Sequence, residues 1–181
     1  LTTGKLAVSR LAPLGQISPA ELLRVAASAE KYSNHPTAKA LVQLAGEAGV
    51  TLVEATDFSE TAGRGIRARL GNTDVIIGRA QWLQDNGVDG GFLNSVDLDE
   101  AEGWSLIFVA RDQQCVGWVG LQDQTRAEAK ESLADLKLNG VRRVAMVSGD
   151  RQAVALRVAR EVGCEEVVGD CLPQNKVDFV R

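Results

Sequence analysis

The hydrophobic pattern of this 181-residue chain changes character close to residue 121, and that change limits the fold more than any single residue does. Ahead of it, two helix-period segments are followed by short alternating runs joined by tight turns. Beyond it, strand and helix alternate one for one. Antiparallel strands need only a two-residue turn, whereas parallel strands need a helix-length return. The first part therefore reads as an antiparallel α+β domain and the second as a parallel sheet with crossover helices, with a boundary between 114 and 121.

In chain order, Leu6 and Val8 alternate with polar neighbours as in a strand. Ser18 and Pro19 start a helix that ends near Glu30, with serine as N-cap and proline in the first turn. A second helix starts at His35 or Pro36 and stops near Ala48, before Gly49. Strand-like pieces are expected at 52–55, 57–61, 66–70 and 75–77, with Gly71 and Asn72 as a hairpin turn. A short helix at 81–86 leads into a Gly-rich polar connection over 85–94, expected to be mobile, and then a hairpin of 105–110 with 115–121. Next come a helix over 126–138, a strand at 144–147, a helix over 152–162, a strand at 167–168 and a helix start at Pro173.

Charge and cysteine content narrow the partners. A net charge of -4 gives no broad basic field, which disfavours nucleic acid. No apolar run reaches the roughly 18 residues of a membrane span, and the N-terminus carries no export signal. Cys115, Cys164 and Cys171 are odd in number and lack metal-ligand spacing, so they read as small buried hydrophobes in a reducing compartment.

Candidate chemistry falls at strand ends and at one helix start. Ser148, Gly149 and Asp150 follow a strand and precede a helix, where α/β sheets bind ligands; a plain turn with Asp150 as N-cap is the alternative. Asp123 and Arg126 end the preceding strand, and Lys176 follows Leu172 and Pro173. Such cations and carboxylates can hold an acyl phosphate and its Mg²⁺, or be solvated loop charges. Gly63, Arg64 and Gly65 form a tight turn that lets a nucleotide approach the backbone. His35 reads as a helix cap or as a partner for an adenine ring.

The order of these motifs resembles the cytoplasmic ATP-binding part of a heavy-metal-transporting P-type ATPase, of the copper or zinc/cadmium branch. Glu30 with His35 and Pro36 is similar to that family's Glu plus Ser-Glu-His-Pro signature, and Gly63-Arg64-Gly65 to its Gly-x-Gly. Ser148-Gly149-Asp150 is similar to Thr-Gly-Asp, Leu172-Pro173 with Lys176 to Leu-Pro-x-x-Lys, and Asp123 with Arg126 to the hinge Asp-x-x-Arg. Leu1 and Thr2 match the tail of Asp-Lys-Thr-Gly-Thr-Leu-Thr.

The resemblance implies a nucleotide-binding domain over 10–114, an antiparallel sheet flanked by helices. It also implies a partial haloacid-dehalogenase-like phosphorylation domain from 1–9 and 115–181. Glu30 and His35 would meet adenine, Gly63 and Gly65 the ribose and phosphates, while Ser148, Asp150 and Lys176 would surround the phosphoryl group and Mg²⁺. Arg79 stands where the family's nucleotide-binding asparagine follows Ile-Gly, Asn34 where an acidic residue precedes the histidine, and Arg151 where an asparagine follows Thr-Gly-Asp. The phosphorylated aspartate would lie ahead of Leu1 and the Gly-Asp-Gly-x-Asn-Asp loop beyond Arg181, so this stretch is expected to bind ATP without turning it over.

In the parent, the partners would be ATP and its own transmembrane and actuator domains, on the cytoplasmic side of a cell membrane, with the transported metal bound elsewhere. The alternative is a soluble haloacid-dehalogenase-type phosphatase with 10–114 as its cap, but no Asp-x-Asp precedes Ser9. An interaction or metal-binding module would need clustered soft ligands.

Overall fold

The computed structural model describes residues 2–96, 103–149 and 152–171. The chain divides into two compact units: Leu6–Ala101 with Ser105–Gln122, and Leu1–Lys5 with Glu102–Trp104 and Asp123–Arg181.

The first unit is organised by strands β1 (Thr2–Pro13), β2 (Ala55–Thr61), β3 (Gly65–Leu70), β4 (Thr73–Gly78), β5 (Ser105–Arg111) and β6 (Gln114–Thr125). They form one sheet in the order β1-β6-β5-β4-β3-β2, and β2 through β6 pair antiparallel. Pairing of β6 with β5 runs from Leu121 opposite Ser105 to Gln114 opposite Arg111, so residues 114–121 lie in this sheet.

Helices α1 (Pro19–Glu30) and α2 (Pro36–Glu47) cover one face. The Ser18 hydroxyl accepts the Glu21 N–H at 3.1 Å, as its N-cap position requires. Leu22, Ala26, Leu41 and Ala45 pack with Ile66, Ile77, Val109 and Val119 into a closed core. Each fully buried aliphatic side chain there contributes roughly 1.5–3 kcal/mol.

Strand alternation sends Ile76, Phe108 and Trp118 to the other face, where they are buried under α3 (Ala80–Asp85) and a 3₁₀ turn at Gly90–Ser95. The segment 85–94 is thus not the free connection its glycines suggest. Val88 and Phe92 are buried, Phe92 lies 5.0 Å from the Phe108 ring, and Asp89 Oδ1 accepts the Gly91 N–H at 2.8 Å. The expected strand at 52–55 is also absent, since β2 begins at Ala55. The Val53 N–H instead donates to the buried Ser28 hydroxyl of α1 at 2.9 Å, which removes it from any ladder.

The second unit holds two parallel strands, β7 (Ala145–Val147) and β8 (Glu166–Val168), with α4 (Ala127–Leu138) and α5 (Gln152–Val162). Leu133 and Met146 pack with Ala155, Val158, Ala159 and Val162. Antiparallel and parallel halves therefore occur in the order the sequence pattern implies. The three cysteines are free thiols, two of them buried. The helix start expected at Pro173 lies outside the described residues.

Candidate functional site

A cleft of about 190 Å³ opens in the first unit among the α1–α2 junction, the β2–β3 turn and the end of β4. Glu30, His35, Gly63, Gly65 and Arg79, separated by up to half the unit in sequence, all line it. Ser33, Glu60 and Gly78 join them.

Glu30 is the last residue of α1 and only 6% exposed. Burial raises its carboxyl pKa from the ordinary 4.5 to about 7, and the nearby Glu60 charge adds to the effect while a hydrogen bond from Ser33 opposes it. Its Oε2 has no hydrogen-bond partner among the described residues. A buried carboxyl with an unpaired oxygen is costly to keep unless something else completes it. Glu30 lines the cleft, and a carboxyl left incomplete beside it fits the site to a ligand that offers hydrogen-bond donors.

His35 is the N-cap of α2, its Nδ1 accepting the Thr37 N–H at 3.3 Å. In the neutral ring the proton is then on Nε2, so the nitrogen not used for capping is a donor. The His35 backbone N–H donates to the Ser33 hydroxyl at 3.1 Å, tying the cap to the residue that also meets Glu30. The helix-cap reading of His35 is met, and the same residue lines the cleft.

The two glycines of the β2–β3 turn have different physical reasons. Gly63 has φ +72°, with open space where a side chain would go, so it serves the turn itself. Gly65 faces Gly78 across the β3–β4 ladder, and a Cβ on Gly65 would lie 2.1 Å from the Ile77 carbonyl oxygen and 2.6 Å from Trp82 Cδ1. A Cβ on Gly78 would lie 2.4 Å from the Arg64 carbonyl oxygen and 2.7 Å from the same ring atom. The Trp82 indole thus packs against a paired-glycine floor. The Arg79 N–H donates to the Arg64 carbonyl at 3.3 Å, which sets the two arginines side by side, and Arg64 pairs loosely with Asp85 at 3.5 Å.

The second set of site residues is less complete. Ser148 follows β7, its N–H donating to Val168 O at 2.8 Å and its carbonyl accepting from Cys171 at 2.9 Å. Asp150 and Lys176, with Leu172, Pro173 and Arg151, lie outside the described residues. The N–H of Gln152 at the start of α5 donates to Asp170 Oδ2 at 2.9 Å. Asp123 lies in β6, two residues before its last residue Thr125, and Arg126 is the N-cap of α4. Among the described residues no group of three acidic, histidine or cysteine side chains is placed to hold a metal.

The whole chain, residues 1–181, matches the haloacid dehalogenase-like hydrolase family. The chain belongs to that family. Among its curated relatives, the probable copper-exporting P-type ATPase V of Mycobacterium tuberculosis is 32% identical over 183 residues, all of this chain and 24% of that protein. The zinc-transporting ATPase of Bacillus subtilis is 31% identical over 182 residues, all of this chain and 28% of that protein. The chain therefore spans about a quarter of the length of the curated relatives it matches.

Solved structures agree. A zinc-transporting PIB-type ATPase superposes with a TM-score of 0.89 at 31% identity, over 99% of this chain and 29% of that one. The isolated N-domain of a copper-transporting P-type ATPase matches 62% of this chain and 97% of its own length, with a TM-score of 0.55 at 26% identity. The heavy-metal P-type ATPase resemblance carried by the motifs is thus matched by both sequence relatives and structural neighbours. No helix among the described residues is long and apolar enough to cross a membrane.

Proposed function

We propose that this haloacid dehalogenase-like chain is the ATP-binding, cytoplasmic-side portion of an ATP-driven heavy-metal exporter. The unit Leu6–Ala101 with Ser105–Gln122 is its nucleotide-binding domain, and the second unit is part of its phosphorylation domain. The buried Glu30 carboxyl, from a residue that lines the cleft and with one oxygen unpaired among the described residues, is the observation that carries this reading. It offers an acceptor for the exocyclic amine of adenine, with His35 Nε2 as a neighbouring donor. The arginine pair beside Gly63 and Gly65 supplies the positive charge that phosphates require. ATP brings the γ-phosphate and its Mg²⁺; Ser148, Asp150 and Lys176 are the residues of this chain proposed to receive them, and Asp123 with Arg126 the proposed hinge.

Copper and zinc are the cargoes named for the relatives, and one of these classes is the proposed cargo of the parent protein. Its transmembrane and actuator domains would be the chain's partners.

Titrating the chain with ATP while recording amide NMR spectra tests the reading. Shifts are expected at Glu30, His35, Gly63, Gly65 and Arg79, and a silent cleft at millimolar ATP refutes it. His35 gives a second test. His35→Ala removes both cap and ring, and is expected to lower stability by about 1 kcal/mol and weaken ATP at least several-fold. His35→Asn restores a capping oxygen and is expected to recover the thermal midpoint but not the affinity. Full recovery of ATP binding in His35→Asn would make His35 structural only.

A further inference from the structure

The connection between α1 and α2 delivers Ser33 and His35 to the cleft, but its own backbone bonds are all local. The Lys31 N–H donates to Ser28 O at 3.4 Å, the Ser33 N–H to Glu30 O at 2.9 Å and the His35 N–H to the Ser33 hydroxyl at 3.1 Å. Bonds of this kind shape a turn and leave its place against the sheet to side chains. Ser33 is buried, while Lys31 and Tyr32 are exposed.

Both exposed residues are gripped by one carboxylate. Lys31 Nζ donates to Glu54 Oε1 and the Tyr32 hydroxyl donates to Glu54 Oε2, across 23 and 22 residues of chain. The Tyr32 ring stands edge-on to Phe58 of β2 with centroids 6.2 Å apart, and Phe58 packs against the core. The Lys31 ammonium lies 5.7 Å from the Tyr32 ring centroid. Glu54 is itself anchored, because the N–H of the preceding Val53 donates to the buried Ser28 hydroxyl of α1 at 2.9 Å.

Resting on the nucleotide reading above, we propose that Glu54 is a positioning residue of the cleft: it clamps the α1–α2 connection through Lys31 and Tyr32, so that Ser33 and His35 are in place before ATP arrives. Glu54 does not line the cleft. A single exposed ion pair contributes little to stability. Glu54 differs in holding two adjacent residues of one turn, and what it governs is the order of that turn, which binding must otherwise impose at a cost in affinity. The sign of the effect separates a clamp from simple electrostatics. Removing a negative charge from the neighbourhood of a polyanion site favours the polyanion. Removing a clamp disfavours it.

The test compares the 181-residue chain with Glu54→Ala and with the charge exchange Lys31→Glu plus Glu54→Lys, measuring ATP dissociation constants, thermal midpoints and amide hydrogen exchange. Glu54→Ala is expected to weaken ATP by about threefold to tenfold, the equivalent of ordering one or two more side chains on binding. Exchange at residues 31–35 is expected to quicken, with the thermal midpoint close to that of the unsubstituted chain. The charge exchange restores the ion pair, and the Tyr32 hydroxyl can accept from the exchanged ammonium, so most of the affinity is expected to return. ATP binding in Glu54→Ala that is unchanged or tighter overturns the proposal. So does a charge exchange that stays at the alanine level, or an affinity loss that follows a fall in thermal midpoint. Absence of ATP binding by the unsubstituted chain refutes the nucleotide reading, and the proposal with it.

Discussion

Gly65→Val is expected to cost about 3 kcal/mol or more of stability in the first unit and to abolish ATP binding, although it adds only a small side chain to a half-buried strand position. The reason is geometric. The Cβ would fall 2.1 Å from the carbonyl oxygen of Ile77 on the paired strand, and backbone cannot swing aside as a flexible side chain can. On its other side lies the Trp82 ring, itself packed against Gly78. Relief requires β3 and β4 to separate at the rung where Gly65 and Gly78 meet, which opens the floor of the cleft. Gly63→Ala is the contrasting substitution. Its Cβ enters open space, so only the left-handed backbone at φ +72° resists it, and a loss of about 1–2 kcal/mol is expected. Urea denaturation followed through amide signals of β3 and β4 compares the two. Equal losses would show that the paired-glycine floor has no special steric role.

Much of this arrangement is legible before any coordinates. A two-residue turn at Gly71 and Asn72 puts Leu70 opposite Thr73, and counting back in step brings Gly65 opposite Gly78, as the ladder has it. The signal for a glycine pair is therefore present in the sequence, yet the motif Gly63-Arg64-Gly65 draws attention to the turn and away from its partner strand. Glu60 and Ser33 are missed for another reason. Glu60 belongs to no motif, and Ser33, although it holds the serine position of the Ser-Glu-His-Pro-like stretch, acts like Glu60 on Glu30 only through folding, Glu60 from β2 and Ser33 from the connection between α1 and α2.

Local chemistry is read well where one residue type has one use. Ser18 caps α1 as a serine before Pro19 should, and His35 caps α2 before Pro36. It is read poorly where composition and anchoring conflict. The glycines of 85–94 suggest a loose connection, but burial of Val88 and Phe92 beneath the β4–β5 face outweighs them, because two apolar anchors offset the ordering entropy of a short segment. Val53 shows the converse: a strand-like residue pulled out of the sheet by a single hydroxyl on α1.

The pH dependence of stability provides the second large effect. The Glu30 carboxyl pKa is about 7 in the folded protein against an ordinary 4.5, so the folded state holds this proton more tightly than the unfolded chain does. Its stabilising contribution is therefore complete below about pH 4.5, declines as pH rises through 7, and is gone above about 8. The gap between the two values corresponds to about 3 kcal/mol. Glu21, Glu54 and Glu166 are held below the ordinary carboxylate range by Arg24, Lys31 and Arg143. Their opposite contributions arise at more acid pH and stay constant above about 5.5.

Between about pH 5.5 and 8.5, wild type is thus expected to lose most of that stability while Glu30→Gln stays nearly level, so that the variant is the more stable protein at the alkaline end. Parallel curves for the two would place the Glu30 carboxyl in contact with water or a partner that the folded chain supplies. A glutamate that destabilises its own fold at neutral pH, where glutamine would not, is difficult to explain by packing. The cleft that Glu30 lines supplies the reason: the group is completed by what binds there, and bound nucleotide is expected to narrow the gap between wild type and Glu30→Gln as it saturates the cleft.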